Sequence, residues 1–495
     1  MNARAAAAAL LIVALVGLSS RSAALGAQQQ TDAQPPAGDG QKPATPSPGT
    51  TENDDLDKIP NPQSSADAKV AQSRNGNQRL YVENAFTGST GRSTLLVPVP
   101  QSTASTWQDR VFVDVRREWP AGRRLTLTFS DRLNVRAEND LAFPTQQSVI
   151  NEWREGFLSW EVSDNMYVDA GRINVKSGAA LGFNPTDFFK TRAVVEPLSS
   201  DPSVLREDRL GTLMLRAQRI WTGGAMTVAF APAISHVSPI YSDTNLPSVG
   251  PSFDRTNART RLLLKGSINV AADFSPELLV YREGDRIRFG LNFTRGIGQN
   301  VVAYAEWSGG AEPNVIDDAL ADGRDTHVLP VGAPSVLADD SAPRFRQDLS
   351  VGGSFSTSRK LTLNVEYHFH QAGFDRRDWE RWFNVGEGAT SASLAPRELW
   401  FIRSYALDRQ DPLTRHSLFV RADWVDAFIR HLELTGFVNM DLYDGSSLVQ
   451  LATDYFASSK WTVGVQASVN VGGPGSDFGS LPQRGSLLFK LARYF

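Results

Sequence analysis

The residues of this sequence best suited to chemistry lie on one short segment around position 368. Glu366, His368 and His370 are spaced two positions apart, so a β-strand would place all three on one face. Histidine is the commonest metal ligand in proteins. Successive residues on one face of a strand are ~7 Å apart, which is too far for three of them to bind one ion without an outside ligand. We therefore predict neither a metal site nor a cofactor.

Nucleophilic catalysis needs a serine or an aspartate beside a histidine. The chain has six histidines, and no serine-elbow motif accompanies any of them. His416 and Ser417 are neighbours in sequence, but adjacent residues of a strand face opposite ways. The sequence therefore predicts a protein that is not an enzyme.

Charged residues alternate with apolar residues in many other segments. In 124–137, Arg132 and Arg136 alternate with Leu133 and Val135, a period of two that indicates a strand with one apolar face. The charged positions selected in this way are Arg116, Arg132, Arg136, Arg216, Arg286, Arg288, Glu366, Arg421 and Asp423. Charges that line a pore set its solute preference, and the arginines of the first half favour anions. The same charges could equally only hydrate an interior and pair across strands.

The carboxy-terminal region shows the same alternation over about ten residues, which is the length of a tilted transmembrane strand. Lys460–Val471 is one such segment, and the chain ends in LLFKLARYF. This ending resembles the closing strand of Gram-negative outer-membrane β-barrels, although Arg493 stands where an apolar residue is usual. The resemblance implies that Phe489, Leu491 and Phe495 form a membrane assembly signal. It also implies outer-membrane lipids and the barrel assembly machinery as partners.

The amino-terminal region differs from the rest of the chain. Residues 1–27 combine a positive start, an apolar core and small residues, as in a secretory signal peptide. Residues 28–78 are rich in Gln, Pro, Ser, Thr, Asp and Gly, which predicts a disordered periplasmic leader. Residues 79–495 then form the predicted barrel. The absence of cysteine excludes a disulfide scaffold, and the net charge of −4 disfavours nucleic acid as a partner.

We count eighteen candidate strands in 79–495, which predicts an all-β, antiparallel up-and-down transmembrane β-barrel. The segments Arg79–Phe86 and Glu277–Arg282 are weak, so sixteen strands is an alternative. The longer connections fall on one side of the sheet only if Glu398–Leu407 belongs to a loop. The number of strands is also even only if Glu398–Leu407 is not a strand.

One long connection carries a second resemblance. The stretch AGRINVKSG, followed by NPTD, is similar to a stretch of porin-like and polysaccharide-export (alginate-export-like) barrels, in which a Gly-Arg pair precedes a loop that folds inward. The resemblance implies that Arg172 lines the pore and that Asn184, Asp187, Phe188 and Phe189 narrow it. A plain turn that begins at Asn184 would need no function.

These observations predict an outer-membrane channel, either for passive passage of hydrophilic solutes or for export of a polysaccharide. Two alternatives remain at this stage. One is an outer-membrane barrel with a blocked lumen that acts as a surface binding or assembly protein. The other is a soluble secreted β-protein.

Overall fold

A computed structural model of the chain describes residues 78–94, 105–139, 148–195, 199–240, 249–271, 274–332, 335–337, 342–390 and 393–495. The predicted signal peptide and nearly all of the predicted leader lie outside these residues. Both therefore stay predictions.

The described residues contain eighteen β-strands. They are β1 (Gln78–Gly91), β2 (Trp107–Pro120), β3 (Leu125–Glu138), β4 (Val149–Ser163), β5 (Met166–Ile173), β6 (Thr212–Trp221), β7 (Gly224–Ala231), β8 (Arg261–Ile268), β9 (Glu277–Glu283), β10 (Arg286–Ile297), β11 (Val301–Glu312), β12 (Arg344–Ser356), β13 (Leu361–His370), β14 (His416–Trp424), β15 (Leu432–Asp441), β16 (Ser447–Ser458), β17 (Trp461–Val471) and β18 (Gln483–Tyr494). The two weak candidate segments form β1 and β9.

The strands form one closed antiparallel sheet. Each strand pairs with the next along the chain, and β1 pairs with both β2 and β18. In the closing seam, Phe86 of β1 lies opposite Phe489, which on its other side lies opposite Val465 of β17. The prediction of an eighteen-stranded up-and-down barrel is confirmed.

Short and long connections lie at opposite ends of the barrel. Residues 121–124 join β2 to β3, and 357–360 join β12 to β13; this is the short-turn end. The other end, the long-loop end, carries the connections 174–211, 232–260, 313–343 and 371–415. Every connection longer than eight residues lies at this end, as the sequence indicated, although the two-residue turn 284–285 between β9 and β10 lies there too.

The long connections contain helices, where the sequence pattern predicted loops. They are α1 (Pro202–Glu207), α2 (Phe253–Thr256), α3 (Val315–Asp325), α4 (Arg376–Gly388) and α5 (Ala395–Arg409). Glu398–Leu407 is not a strand, as the even strand number requires, but it forms most of α5. None of the described helices is long and apolar enough to span a bilayer.

Helices α3, α4 and α5 pack on one another at the long-loop end. Asp375 begins α4 with a capping box, in which its side chain accepts from the backbone N–H of Asp378 and the Asp378 side chain accepts in return. Trp379 and Trp382 of α4 are fully buried against Phe401 of α5 and its neighbours. This small apolar core gives the loops a fixed structure of their own.

The outer face of the barrel is apolar and exposed. Large apolar side chains on this face include Leu127, Leu158, Trp160, Leu215, Phe230, Phe289, Val365, Leu451, Val463 and Phe489. A soluble protein would bury such a continuous surface, whereas a sheet that closes on itself within lipid must expose it. The soluble alternative is therefore excluded.

Val465 and its neighbour Gln466 test this orientation, because they lie at mid-strand on the outer and the inner face of β17. We expect Val465→Arg to lower the free energy of unfolding by about 2–4 kcal/mol, because arginine on the lipid face is destabilising near the bilayer midplane. Gln466→Arg, on the polar face, is the control and should have a much smaller effect. Urea unfolding in lipid vesicles measures both, and equal effects would contradict the assignment of faces.

Candidate functional site

Nine of the ten residues predicted to line the interior lie on the inward face. They are Arg116, Arg132, Arg136, Arg216, Arg286, Arg288, Glu366, Arg421 and Asp423. The side chains of Arg116 and Arg286 are the most open, at 42% and 37% exposure. Arg132, Glu366 and Arg421 are nearly sealed from solvent. The inward charges therefore divide into an open set and a set that is buried by the inward loop.

The buried charges are paired. Asp114 on β2 forms ion pairs with Arg132 on β3 at 2.8 Å, with Arg154 on β4 at 2.5 Å and with Arg79 on β1 at 3.0 Å. Asp208, which follows α1, is 2.9 Å from Arg132. The connection between β5 and β6 thus contributes a carboxylate to a cluster on the barrel wall.

Arg172 lies on the outer face, so its prediction as a pore-lining residue is wrong. Its cross-strand partner on β4 is Gly156, and its companion Ala170 lies opposite the exposed Leu158; cross-strand partners share a face. The side chain is nonetheless fully buried, because the β7–β8 connection covers it. Its guanidinium donates to the carbonyl of Gly211 at 2.8 Å and to that of Pro251.

Two aromatic rings complete the surroundings of Arg172. The guanidinium carbon is 5.5 Å from the ring centre of Trp153 and 5.3 Å from that of Phe253 in α2, within the range of cation–π attraction. The sequence resemblance therefore located a structural arginine that fixes one loop to the outside of the sheet. The residue does not enter the lumen.

The connection 174–211, which we call the inward loop, crosses the lumen to the opposite wall. The backbone N–H of Ala180 donates to Glu306 on β11 at 2.6 Å. The N–H groups of Leu181 and Gly182 donate to the two carboxylate oxygens of Glu366 on β13, at 2.6 and 2.8 Å. Since β5 and β13 are nearly half of the ring apart, these bonds hold the loop across the interior.

Glycine is required where the loop touches the wall. A Cβ on Gly182 would lie 2.6 Å from both the His368 ring and the Phe419 ring. Gly178 has a positive φ of 78°, and a Cβ there would overlap the carboxylate of Glu306. The spacing of glycines in SGAALG thus permits the close approach that the hydrogen bonds need.

The histidines of the segment around position 368 serve this docking. His368 bonds to Glu366 at 2.8 Å and to the hydroxyl of Ser417 on β14 at 3.2 Å, while His370 bonds to Asp348 at 2.8 Å. Glu366 also accepts from the hydroxyl of Tyr304 at 2.7 Å, so its oxygens are fully engaged. Among the described residues, no group of three or more His, Asp and Glu side chains is placed to bind a metal ion.

The four residues predicted to narrow the pore lie within the inward loop and are buried. Phe188 stacks on Tyr281 of β9 with ring centres 4.6 Å apart, and Phe189 meets the same ring edge-on at 5.7 Å. Asp187 pairs with Arg209 at 2.5 Å, and Asn184 donates to a carbonyl within the loop. All four side chains therefore anchor the loop to itself and to the wall.

Arg421 and Asp423 hold the far part of the same loop. The Arg421 guanidinium pairs with Asp201 at 3.1 Å and with Asp423 at 2.8 Å. Asp201 caps the first turn of α1 and accepts from the N–H of Ser203 at 3.0 Å. Arg421 thus binds the inward loop directly, and Asp423 pairs with the Arg421 guanidinium that does so.

The end of helix α5 is bonded to the inward loop. Lys190 pairs with Asp411 at 2.9 Å, and Arg192 pairs with Asp408 at 3.2 Å. The side-chain amide of Gln410 donates to the carbonyl of Lys190 at 2.8 Å. The helical core at the long-loop end and the inward loop are therefore connected by several polar contacts.

An arginine-rich cavity lies between these elements and the β8–β10 wall. Its charged lining comprises seven arginines and four carboxylates: Arg192, Arg255, Arg259, Arg261, Arg286, Arg288, Arg409, Glu283, Glu312, Asp322 and Asp408. Several of the arginines are paired, as in Arg261 with Glu283 at 3.0 Å. Arg259 is exposed, and no ion pair with another described residue involves it. The other six arginines each meet a carboxylate, Arg286 that of Asp318 and Arg288 that of Asp348 among them, so Arg259 is the open cation of this lining.

Sequence reasoning missed the residues that receive the loop, namely Glu306, Tyr304 and Asn292. Thr186 of the inward loop donates to Asn292 at 2.7 Å. Their strands were predicted, but which of their inward residues meet a loop depends on contacts from distant parts of the chain. The glycines of the inward loop were the one signal in the sequence that this loop packs closely against the barrel wall.

The docking of the inward loop can be tested at Gly182. Gly182→Ala should destabilise the docked loop by about 1–3 kcal/mol, because overpacking of a tight contact has this cost. Amide hydrogen exchange in 178–190 should then accelerate several-fold. Gly266→Ala is the matched control, since nothing lies within 4 Å of a Cβ at Gly266. Unchanged exchange in the Gly182 variant would contradict the docking geometry.

The sequence matches no family model and no curated protein. Among solved structures, Pseudomonas aeruginosa OccK8 (OprE) is similar with a TM-score of 0.45 and 10% identity over 85% of this chain and 98% of that chain. Pseudomonas aeruginosa OccK5 (OpdH) has a TM-score of 0.46 and 9% identity over 85% and 97%. Salmonella typhi OmpF in complex with daunomycin has a TM-score of 0.39 and 10% identity over 85% and 98%.

The closed sheet itself indicates the class of protein. Eighteen antiparallel strands alternate charged inward residues with an apolar outward surface. Short turns lie at one end and long loops at the other, as in bacterial barrels that span the outer membrane. The chain is a closed eighteen-stranded β-barrel of the outer-membrane type.

Proposed function

We propose that this barrel provides a passive aqueous passage for small hydrophilic solutes across the outer membrane. The observation that carries the proposal is the charged inward face of a closed eighteen-strand sheet. Barrels of sixteen to eighteen strands enclose more space than their own side chains fill, which leaves room for water. The chemistry is passage without turnover, because the histidine, glutamate and serine contacts of the interior hold the loop and are buried.

The inward loop favours a small solute over an extended polysaccharide. Its tip is fixed to Glu306 and Glu366 on the far wall, and Arg421 fixes α1. An extended polymer would need one wide, continuous opening through the barrel. The inward loop divides this opening, because it is attached both to the far wall and to Arg421. We infer that the loop is the constriction and that Asn184, Asp187, Phe188 and Phe189 act by holding it in place.

The arginine-rich cavity gives the passage a preference for anions. Arg259 and Arg286 are its most accessible cations, and arginine binds carboxylate and phosphate groups through parallel hydrogen bonds. The preferred solutes are therefore small molecules that carry a carboxylate or a phosphate.

The carboxy-terminal strand supports the proposed assembly signal. Phe489, Leu491 and Phe495 lie on the outer face of the chain end and are exposed to 51%, 47% and 38%. They present one apolar row beside the closing seam. We infer that the barrel assembly machinery recognises this row.

Conductance across a planar lipid bilayer tests the function. The purified full-length barrel should produce stepwise currents and permeate anions better than cations. Arg259→Glu should lower the ratio of anion to cation permeability several-fold, because it replaces an unpaired cation of the cavity by an acid. The ratio is measured from the reversal potential in a salt gradient.

Arg123→Glu is the control for this experiment, since Arg123 is exposed in the turn between β2 and β3, at the opposite end. It should change the permeability ratio much less. Absence of current from the folded barrel would instead support the alternative of a surface binding protein with a blocked lumen.

The anion preference should also depend on pH through Asp322 of α3. Burial raises the pKa of the Asp322 carboxyl to about 6, and nearby Asp318 and Asp408 raise it while Arg192 and Arg259 lower it. Below this pKa the carboxyl is neutral, so the cavity becomes more positive. We expect anion preference to rise as the pH falls from 8 to 5, and Asp322→Asn to remove much of this change. A pH dependence that persists in full in the variant would exclude Asp322 as its source.

A further inference from the structure

Three arginines on separate strands face outward near the short-turn end. Arg219 lies two residues before the end of β6, Arg295 two before the end of β10, and Arg493 one before the end of β18. Their cross-strand partners place them on the apolar face: Arg219 lies opposite Met166 and Met226, and Arg493 opposite Trp461. These arginines therefore project toward lipid.

Among the described residues Arg219 has no carboxylate partner, in contrast to the buried arginines of the barrel wall. Every inward arginine described above as buried on the barrel wall meets an acid, as Arg132 meets Asp114. No ion pair between Arg219 and another residue of the described strands and loops is present, and its side chain is exposed. A cation on the lipid face of a strand is unfavourable unless it reaches the interface or an anion.

A groove of about 430 Å³ adjoins this guanidinium on the outer surface. Apart from Arg219 and Gln218, its walls are apolar and include Met166, Trp221, Met226 and Val228. Methionine side chains are flexible and adapt to irregular apolar partners. The groove therefore offers apolar contact next to an unpaired cation.

The position of the groove along the barrel selects the occupant. The short turns of a bacterial barrel face the periplasm, so Arg219 lies near the headgroups of the periplasmic leaflet. Trp221, two residues further along the outer face, is 45% exposed, as expected for an aromatic side chain at the membrane interface. At this depth the phosphate of a phospholipid lies beside the Arg219 guanidinium and can pair with it. The first methylenes of the acyl chains lie beside the apolar walls of the groove.

We propose that the barrel binds one phospholipid of the periplasmic leaflet at this groove. The guanidinium of Arg219 binds the lipid phosphate, and an acyl chain lies along Met166, Met226 and Val228. An anionic headgroup such as phosphatidylglycerol is preferred, because the site has a positive charge that no carboxylate of the described residues balances. The inference depends on the placement of the barrel in the membrane and is independent of what passes through its lumen.

Native mass spectrometry of the full-length barrel tests the proposal, with phosphatidylglycerol, phosphatidylcholine and lipid A as probes. The parent protein should retain one phosphatidylglycerol molecule in preference to phosphatidylcholine. Arg219→Gln should weaken this binding by about tenfold, the scale of a charge-assisted bond to phosphate. Met226→Trp, which fills the groove and leaves Arg219 in place, should also reduce binding.

Arg282→Gln is the matched control. Arg282 is an exposed arginine of the same outer face, but it lies on β9 at the long-loop end, and its loss should leave binding unchanged. A shift of electrophoretic mobility on heating shows that each variant is folded, so a loss of lipid cannot be mistaken for misfolding.

Three outcomes would overturn the proposal. The first is equal retention of phosphatidylglycerol by the parent and by Arg219→Gln. The second is binding of lipid A in preference to phosphatidylglycerol at Arg219, which would place the groove in the other leaflet. The third is an oligomer in the parent that Arg219→Gln dissociates, which would show that a second copy of the chain occupies the groove.

Discussion

Lipid offers the backbone no hydrogen-bond partner, and the rest of this structure depends on that constraint. A sheet can lie in lipid only if every strand edge is paired, which requires closure. Here β1 and β18 close the ring, and the backbone N–H of Phe495 donates to the carbonyl of Leu80 at 3.0 Å. A closed sheet has lipid on its outer face and the barrel interior on its inner face. The side chains of each strand must therefore alternate between these two environments. Connections that leave backbone groups unpaired are confined to the two ends.

An eighteen-strand ring then raises a second physical problem, because its interior is wider than its own side chains can fill. The inward loop occupies part of that space, and by doing so it removes water from charges on the wall. Each such charge needs a partner, since breaking a buried ion pair costs about 3–5 kcal/mol. Asp114 with its three arginines and Glu366 with its four donors meet this need. Loop docking and charge pairing are consequently one cooperative arrangement.

The barrel could be predicted from the sequence because the signal is repeated in every strand. Alternation of period two identified even the short β9, and loop length placed the longest connections at one end. The helices were missed because a search for period two ignores the spacing of Trp379 with Trp382 and of Leu399 with Ile402, which follows a helical turn. The capping residues Asp375 and Asp378 were a readable signal of α4.

The site was predicted less well, because side-chain direction and loop contacts are different kinds of information. Alternation alone places Arg172 with Val168 and Ala170 on the apolar face, yet the resemblance of its loop suggested the lumen. Polar character by itself thus did not give the direction of every arginine in this barrel. An arginine can lie inside if a carboxylate neutralises it, outside if protein covers it as Phe253 covers Arg172, or at the membrane interface if it reaches an anion. Strand register distinguishes an inward arginine from an outward one. For an outward arginine, only the neighbours of its guanidinium show whether protein covers it or whether it lies at the membrane interface.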